Sequence, residues 1–480
     1  MKKIILSLLA VVAGAPTALA EVRLPYIFGN NMVLQQQSDV ALWGEARAGA
    51  TLLVTTSWNG KTYAVEAGSD GRWQQKVSTA AAGGPYEITL NDGAPLTLSN
   101  VMLGEVWLCS GQSNMEMPVK GYRNQPTTSS NRYILHSRNK NIRCITAPRA
   151  SAAALQREFA KEALWQEASP ATTGSFSATA YHFGKLLNEA LDIPVGLVCV
   201  SYSGSTVEAW MSRDALKDFP DVKIPEKDSD IKPANRTPTT LYNAMLNPVV
   251  GYTVRGCIWY QGESNYEAPD RYEKLFPAMV QSWRRVWGIG DFPFYYAQIA
   301  PFDYAALPPY NKGGKYNSAF LRDAQRKCED VIPNSAMATL IDKGEERCIH
   351  PADKHVAGER LGLQALARTY GLVGFAFASP AYREMKVSSD TVTVYFDNAP
   401  LGLTSYGREV TLFEVAGANR KFYPAKAKIN SGKYASVTLT CPKVKRPVAV
   451  RYAFKDFVTG VLFGTEGLPV SSFRTDSWDE

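Results

Sequence analysis

From Val101 to Cys109 the chain is almost continuously apolar, VMLGEVWLC, and then it stops at Ser110-Gly111. A short apolar run closed by a turn signal reads as a buried strand. The next side chains are Gln112, Ser113 and Asn114. A serine delivered at the carboxyl end of a buried strand is exposed at the sheet edge yet held by a rigid scaffold, which suits a nucleophile. The pattern is not the lipase elbow G-x-S-x-G, because Met115 stands where the last glycine belongs. Taken alone, the stretch fits a helix-capping serine equally well.

The rest of the chain narrows the choice. From Val101 to about Phe375, short apolar runs alternate with helical patterns. The runs predict strands at Leu103–Cys109, Val195–Val200, Val254–Tyr260, Phe292–Ile299 and Ala336–Ile341. Helices are predicted at Ala178–Ala190, Arg271–Trp287, Ser318–Asp330 and Ala352–Tyr370. Alternating strands and helices imply an α/β fold whose parallel sheet is covered on both faces. Lys120–Thr173 and Asp214–Pro238 read as long loops with minor helices. Before this region, Glu21 to about Asn100 is strand-rich, with Asn59-Gly60, Asp70-Gly71, Gly83-Gly84 and Asp92-Gly93 between alternating runs. After about Ala381 the strand rhythm returns. The expected organisation is a leader over 1–20, an N-terminal β-sandwich-like domain over 21–100, an α/β domain over 101–378 and a C-terminal β-rich domain over 379–480.

Met1–Ala20 has the parts of a secretory signal: Lys2 and Lys3, an apolar core from Ile4 to Gly14, and Ala18-Leu19-Ala20 as a small-x-small cleavage site. The expectation is cleavage after Ala20 and a periplasmic or secreted enzyme. No stretch is long enough for a membrane span. The formal charge of +7, two units of it from Lys2 and Lys3, is not gathered in runs and makes no case for nucleic acid. Seven cysteines are scattered without a C-x-x-C, so no metal site is expected. Cys109, Cys199 and Cys257 lie in apolar runs and read as core residues. Cys144, Cys328, Cys348 and Cys441 leave disulfides open.

Four motifs follow four predicted strands: Gly111-Gln112-Ser113-Asn114, Ser201-Tyr202-Ser203-Gly204-Ser205, Gln261-Gly262-Glu263-Ser264-Asn265, and the stretch from Asp342 to His350-Pro351. Ligands of an open α/β sheet bind outside the carboxyl ends of its strands, so these motifs are expected in one crevice. The set suits acyl transfer. Ser113 needs a base, and His350 supplies one and later protonates the leaving alcohol. The oxyanion wants preorganised donors, for which the Ser113 and Gly204 N–H groups and the Asn265 amide are candidates. Of four histidines, His136 and His182 lie away from the strand ends, and His355 lies within a predicted helix. Each residue also has a plainer reading: His350-Pro351 a turn, Asn265 a helix cap, Gly204 a tight turn.

The stretches GEVWLCSGQSNMEMPV, SGSTVEAWM, IWYQGESN and IHPADK, with the closing GLPVSSFRTDSW, resemble the sialate O-acetylesterase family of the SGNH-hydrolase superfamily. The resemblance spans nearly the whole chain after the leader. It implies a flavodoxin-like three-layer catalytic core and a serine esterase that needs no cofactor. The implied substrate is O-acetylated sialic acid or a related acetylated glycan. It also implies Ser113 as nucleophile, Gly204 and Asn265 as oxyanion donors and His350 as base. One departure stands out: the family's acid, two or three residues before the histidine, is replaced by Cys348 and Arg347. Glu345, Glu346 or Asp342 is then the candidate orienting acid, or a Ser–His dyad operates with a backbone carbonyl.

Gln112, Gln261, Glu263 and Arg322 are candidate substrate contacts. The aromatics Phe302, Tyr304, Tyr310 and Tyr316 suit sugar rings. Two rival readings remain: an acetylesterase for another glycan such as xylan, and a non-catalytic carbohydrate-binding protein.

Overall fold

The computed structural model describes residues 22–306 and 318–478. Tyr310, Tyr316 and the leader lie outside the described residues. At the centre is the strand Pro95–Gly111, far longer than its apolar run. Its first half pairs antiparallel with Gly83–Asn91 and its middle pairs parallel with Val33–Gln35. Its second half forms the middle of the parallel sheet. The boundary expected at Asn100 therefore falls inside one strand, which ties the N-terminal β region to the turn that carries Ser113.

The strand order of the parallel part is Ser335–Ala338, Phe294–Ala297, Gly256–Tyr260, Pro95–Gly111, Val195–Ser201, Asn139–Thr146, with Gln166–Ala168 antiparallel on the edge. All five predicted strands are present. Asn139–Thr146 is an addition, in a region read from sequence as loop. Arg143 interrupts its apolar pattern, and the fold buries that side chain against the Asn31 and Asn100 carbonyls and Glu167. Glu105 is the charged interruption in the central strand. It is 1% exposed and is satisfied by Arg255, Gln35, Gln36 and Tyr370. A buried carboxylate persists only when so paired.

Side chains alternate across the central strand. Val106 and Leu108 enter one core with Trp259, Phe276, Trp283 and Phe294; Trp107 and Cys109 enter the other with Tyr181, Phe183 and Leu361. The four predicted helices appear as Ala178–Leu191, Pro269–Trp287, Ala319–Val331 and Lys354–Arg368. The first and last pack together over one face, and the middle two over the other. The result is a mixed α/β fold around a mostly parallel sheet. No helix among the described residues is long and apolar enough to cross a membrane.

The chain after Ala381 forms two four-stranded antiparallel sheets and a short ribbon. A buried ionic contact joins it to the α/β region, Arg474 to Asp323 at 3.0 Å, and beside it Arg451 pairs with Asp476 within the C-terminal region at 2.7 Å. All seven cysteines are free thiols. Cys109, Cys144 and Cys199 cluster on neighbouring strands, with 3.5 Å between the last two sulfurs.

Candidate active site

The central strand is flanked on either side by strands that ended up there by opposite routes, so its carboxyl end is a topological switch point, where α/β sheets hold ligands. Register brings three motifs out together: Gly111 pairs with Ser201 on one side and with Tyr260 on the other. Gly111 has φ +142°, and a Cβ there would lie 2.2 Å from the Tyr260 carbonyl oxygen, so only glycine fits. The chain then turns into the short helix Ser113–Glu116, which puts Ser113 at the rim.

Ser113, Gly204 and His350 line one cavity of about 190 Å³, together with Gln112, Ser203, Arg236, Glu263, Ser264, Tyr266, Tyr304 and Ile349. A cleft of about 920 Å³ against the N-terminal β region is larger, but its lining includes no serine, cysteine or histidine. The smaller cavity is therefore the candidate site. Among the described residues the backbone N–H groups of Ser113 and Gly204 donate to no protein acceptor. The loop bearing Gly204 is held from three sides. Ser203 N–H donates to Glu116, Asn235 donates to the Ser203 carbonyl and Arg236 to the Gly204 carbonyl. With its carbonyls engaged, the loop is prevented from turning its free N–H away.

His350 is partly buried, and this burial, helped by the nearby Lys354 cation, pushes its imidazole down to about 4. At neutral pH the ring is an uncharged base. Its Nδ1 lies 2.5 Å from the Gln125 side-chain oxygen. The expected acids are engaged elsewhere. Asp342 forms a two-pronged pair with Arg360, Glu345 accepts the Ala352 N–H at 2.6 Å, and Glu346 is exposed. Gln125 stands on the ring nitrogen where an orienting acid was expected, and sequence reasoning missed it. It comes from the turn Tyr122–Gln125, closed by reciprocal backbone hydrogen bonds. The same turn sets the Tyr122 ring edge-on to His350 at 5.4 Å and its hydroxyl on Glu116 and the Ser113 carbonyl. Glu116 was missed as well. Its carboxylate gathers Arg149, Tyr122 and the Ser203 N–H behind the nucleophile.

The other expected residues divide. Gln112 lines the cavity; its oxygen accepts from the Gly262 and Ser264 N–H groups, which leaves its amide nitrogen as the polar end open to the cavity. Asn265 is not among the lining residues. Its oxygen accepts from Val207 N–H and Gln261, and its nitrogen donates to Glu208 at 3.0 Å, so the amide is spent on bracing the turn. Gln261 is wholly buried and donates to the Ser205 carbonyl and Asn265. Glu263 borders the cavity, but its carboxylate is buried and one oxygen accepts from Asn114.

Arg322, expected at the substrate, is instead fully buried beneath the C-terminal region. It donates to the carbonyls of Ala453, Lys455 and Asp456 and to Ser318. Desolvation lowers it to about 10. Its place on the inward face of a helix is what the sequence left undecided. Tyr304 and Tyr266 stack at 4.2 Å and form an aromatic wall of the cavity. His355 is paired to Asp353 at 2.6 Å and stands beside the buried His182, away from the cavity.

Comparison with known proteins shows the family. The family description "carbohydrate esterase, sialic acid-specific acetylesterase" matches residues 103–353. Curated sialate O-acetylesterases are 28% identical: that of Homo sapiens over 88% of this chain and 86% of its own length, and that of Pongo abelii over the same shares. A solved carbohydrate acetylesterase from Xanthomonas citri is 31% identical and superposes with a TM-score of 0.86 over 95% of this chain and 100% of its own. The chain accordingly belongs to the carbohydrate esterase family of sialic acid-specific acetylesterases, and is a carboxylic ester hydrolase of the carbohydrate acetylesterase kind.

Proposed function

We propose that the enzyme removes O-acetyl groups from sialic acid by a double displacement through an acetyl-Ser113 intermediate. The α/β core then corresponds to a flavodoxin-like three-layer SGNH hydrolase. The observation that carries the reading is the convergence of Ser113, Gly204 and His350 on one cavity at the switch point of the sheet. The Ser113 hydroxyl attacks the acetyl carbonyl while His350 Nε2 takes its proton. The oxyanion accepts hydrogen bonds from the Ser113 and Gly204 N–H groups, with Gln112 as a third donor. Collapse breaks the ester bond, and His350 returns the proton to the departing sugar oxygen. Water, deprotonated by His350, then attacks the acetyl carbon; the bond from that carbon to Ser113 Oγ breaks, His350 returns the proton to Oγ, and acetic acid leaves and ionises to acetate. Gln125 accepts the Nδ1 proton throughout and keeps the Nε2 lone pair toward the serine.

The related Xanthomonas citri protein is a carbohydrate acetylesterase, which supports a second reading in which another acetylated glycan such as xylan is the substrate. Acetate release from 9-O-acetylated sialic acid and from acetylated xylan, compared for wild type, Ser113→Ala and His350→Ala, tests both. Loss in the two variants supports the mechanism, and an equal or higher rate on xylan overturns the sialate assignment. Export with cleavage after Ala20 is part of the proposal; an uncleaved amino terminus on the protein purified from its native cell would refute it.

A further inference from the structure

Behind the cavity lies a chain of polar side chains that the reaction itself does not use. Lys354, at the start of the helix Lys354–Arg368, is only 2% exposed. Its Nζ donates to the Pro351 carbonyl and to Asn114 Oδ1, at 2.5 and 2.8 Å. Asn114, fully buried beside the nucleophile, passes its two amide protons to the Ile349 carbonyl at 3.1 Å and to Glu263 Oε1 at 2.5 Å. The residues so gripped, Ile349 and Pro351, are the neighbours of His350 on either side.

We propose that Lys354, Asn114 and Glu263 form a positioning clamp, which holds the two peptide carbonyls flanking His350 and so sets the attitude of its ring toward Ser113. The clamp joins three motifs that strand ends deliver separately: the serine turn, the Gln261–Asn265 turn and the histidine segment. Burying an ammonium and a carboxylate is costly, and well-packed apolar groups in their place are often as stable or more so. Among the described residues one oxygen of buried Glu263 accepts no hydrogen bond. A merely structural tether needs no such outlay. What the ionic chain adds is a fixed geometry for a segment that otherwise carries no regular secondary structure.

The clamp also carries charge. Lys354 faces Glu263, Cys348, Glu345 and Asp353, and its charge also acts on His350. Burial brings its ammonium down to about 7 and raises Glu263. The positive charge on Lys354 disfavours a second one on His350.

The inference rests on His350 being the base. The experiment compares wild type, Lys354→Met and His350→Ala with p-nitrophenyl acetate from pH 4 to 9, with melting temperatures alongside. For Lys354→Met the expectation is that kcat falls at least 30-fold, that KM stays within about twofold, and that the acid limb moves to higher pH by at least half a unit. A turnover within threefold of wild type, or a loss with the acid limb unmoved, overturns the clamp. Activity in His350→Ala overturns the base assignment instead, so the two failures are distinct. If Lys354→Met does not fold, Asn114→Ala decides by the same criteria for kcat and KM, since it frees the Ile349 carbonyl while leaving Lys354 on Pro351.

Discussion

His350 and Gln125 meet through Nδ1 and a side-chain carbonyl oxygen, 2.5 Å apart across 225 residues of sequence. A neutral amide thus does for the ring what a carboxylate does in a Ser-His-Asp arrangement: it fixes which nitrogen bears the proton. It does not offer the same electrostatic support to the imidazolium that forms during attack. Gln125→Ala is expected to lower kcat about 10- to 100-fold, since a misoriented base forfeits part of the usual gain from general-base catalysis. Gln125→Glu is expected to keep most of the rate and move the acid limb upward, because an anion favours the protonated ring. Steady-state kinetics over pH check both, and an unaltered Gln125→Ala removes the residue from the mechanism.

The pH profile has a defined acid side. A protonated His350 cannot take the Ser113 proton, and burial holds its ring neutral down to about 4. The quantity kcat/KM should therefore stay level to about pH 5 and fall about tenfold per unit below 4. Stability follows the same direction. The unfolded histidine binds its proton near 6.5 and the folded one near 4, so the unfolded chain gains protons first. The histidine's contribution is present above 6.5 and is lost as pH falls toward 4. Chemical denaturation at pH 7 and pH 4.5 measures it.

Glu116 holds the oxyanion loop through the Ser203 N–H while Arg149 grips both of its oxygens at 2.6 Å. Glu116→Ala should cost roughly 10-fold to 100-fold in kcat, the equivalent of one charge-assisted hydrogen bond of about 1.5–3 kcal/mol. Substrate affinity should change little, because the carboxylate stands behind the loop. A change confined to KM would contradict this.

Arg322→Ala is expected to act on stability instead of turnover. It strips the carbonyls of Ala453, Lys455 and Asp456 of a buried donor, and each orphaned acceptor costs about 1–3 kcal/mol. A loss of about 2–4 kcal/mol in urea unfolding, with KM unchanged below the transition, is the expected pair of results. A raised KM in a stable variant would return Arg322 to the substrate site.

Periodicity made the helices and the apolar strands legible. Val195–Val200 appears as Val195–Ser201, and Arg271–Trp287 as Pro269–Trp287. It failed where a charge was buried by distant partners. Arg143 hides Asn139–Thr146 because Asn31 and Asn100, which satisfy it, belong to another part of the chain. The shared cavity of Ser113, Gly204 and His350 was legible from the motifs that follow the strands. Gln125 was not, because it stands on a loop turn of no regular period, and no spacing rule links a neutral amide to a histidine so far downstream. Arg322 misled for the opposite reason: its helix face was readable, but the region that covers that face was not.

The long central strand has a consequence for how the molecule comes into being. Ser113 leaves the ribosome directly after Pro95–Gly111, whose early half already has Val33–Gln35 and Gly83–Asn91 to pair with. Its later half has no neighbours until Val195–Ser201 and Gly256–Tyr260 are synthesised. His350 arrives later still, and the carbonyls that cover Arg322 near the very end. Ser113 therefore waits through the whole stretch up to His350 before the residues that share its cavity are all present. On the proposed roles, competence waits for His350 and for the C-terminal carbonyls that cover Arg322.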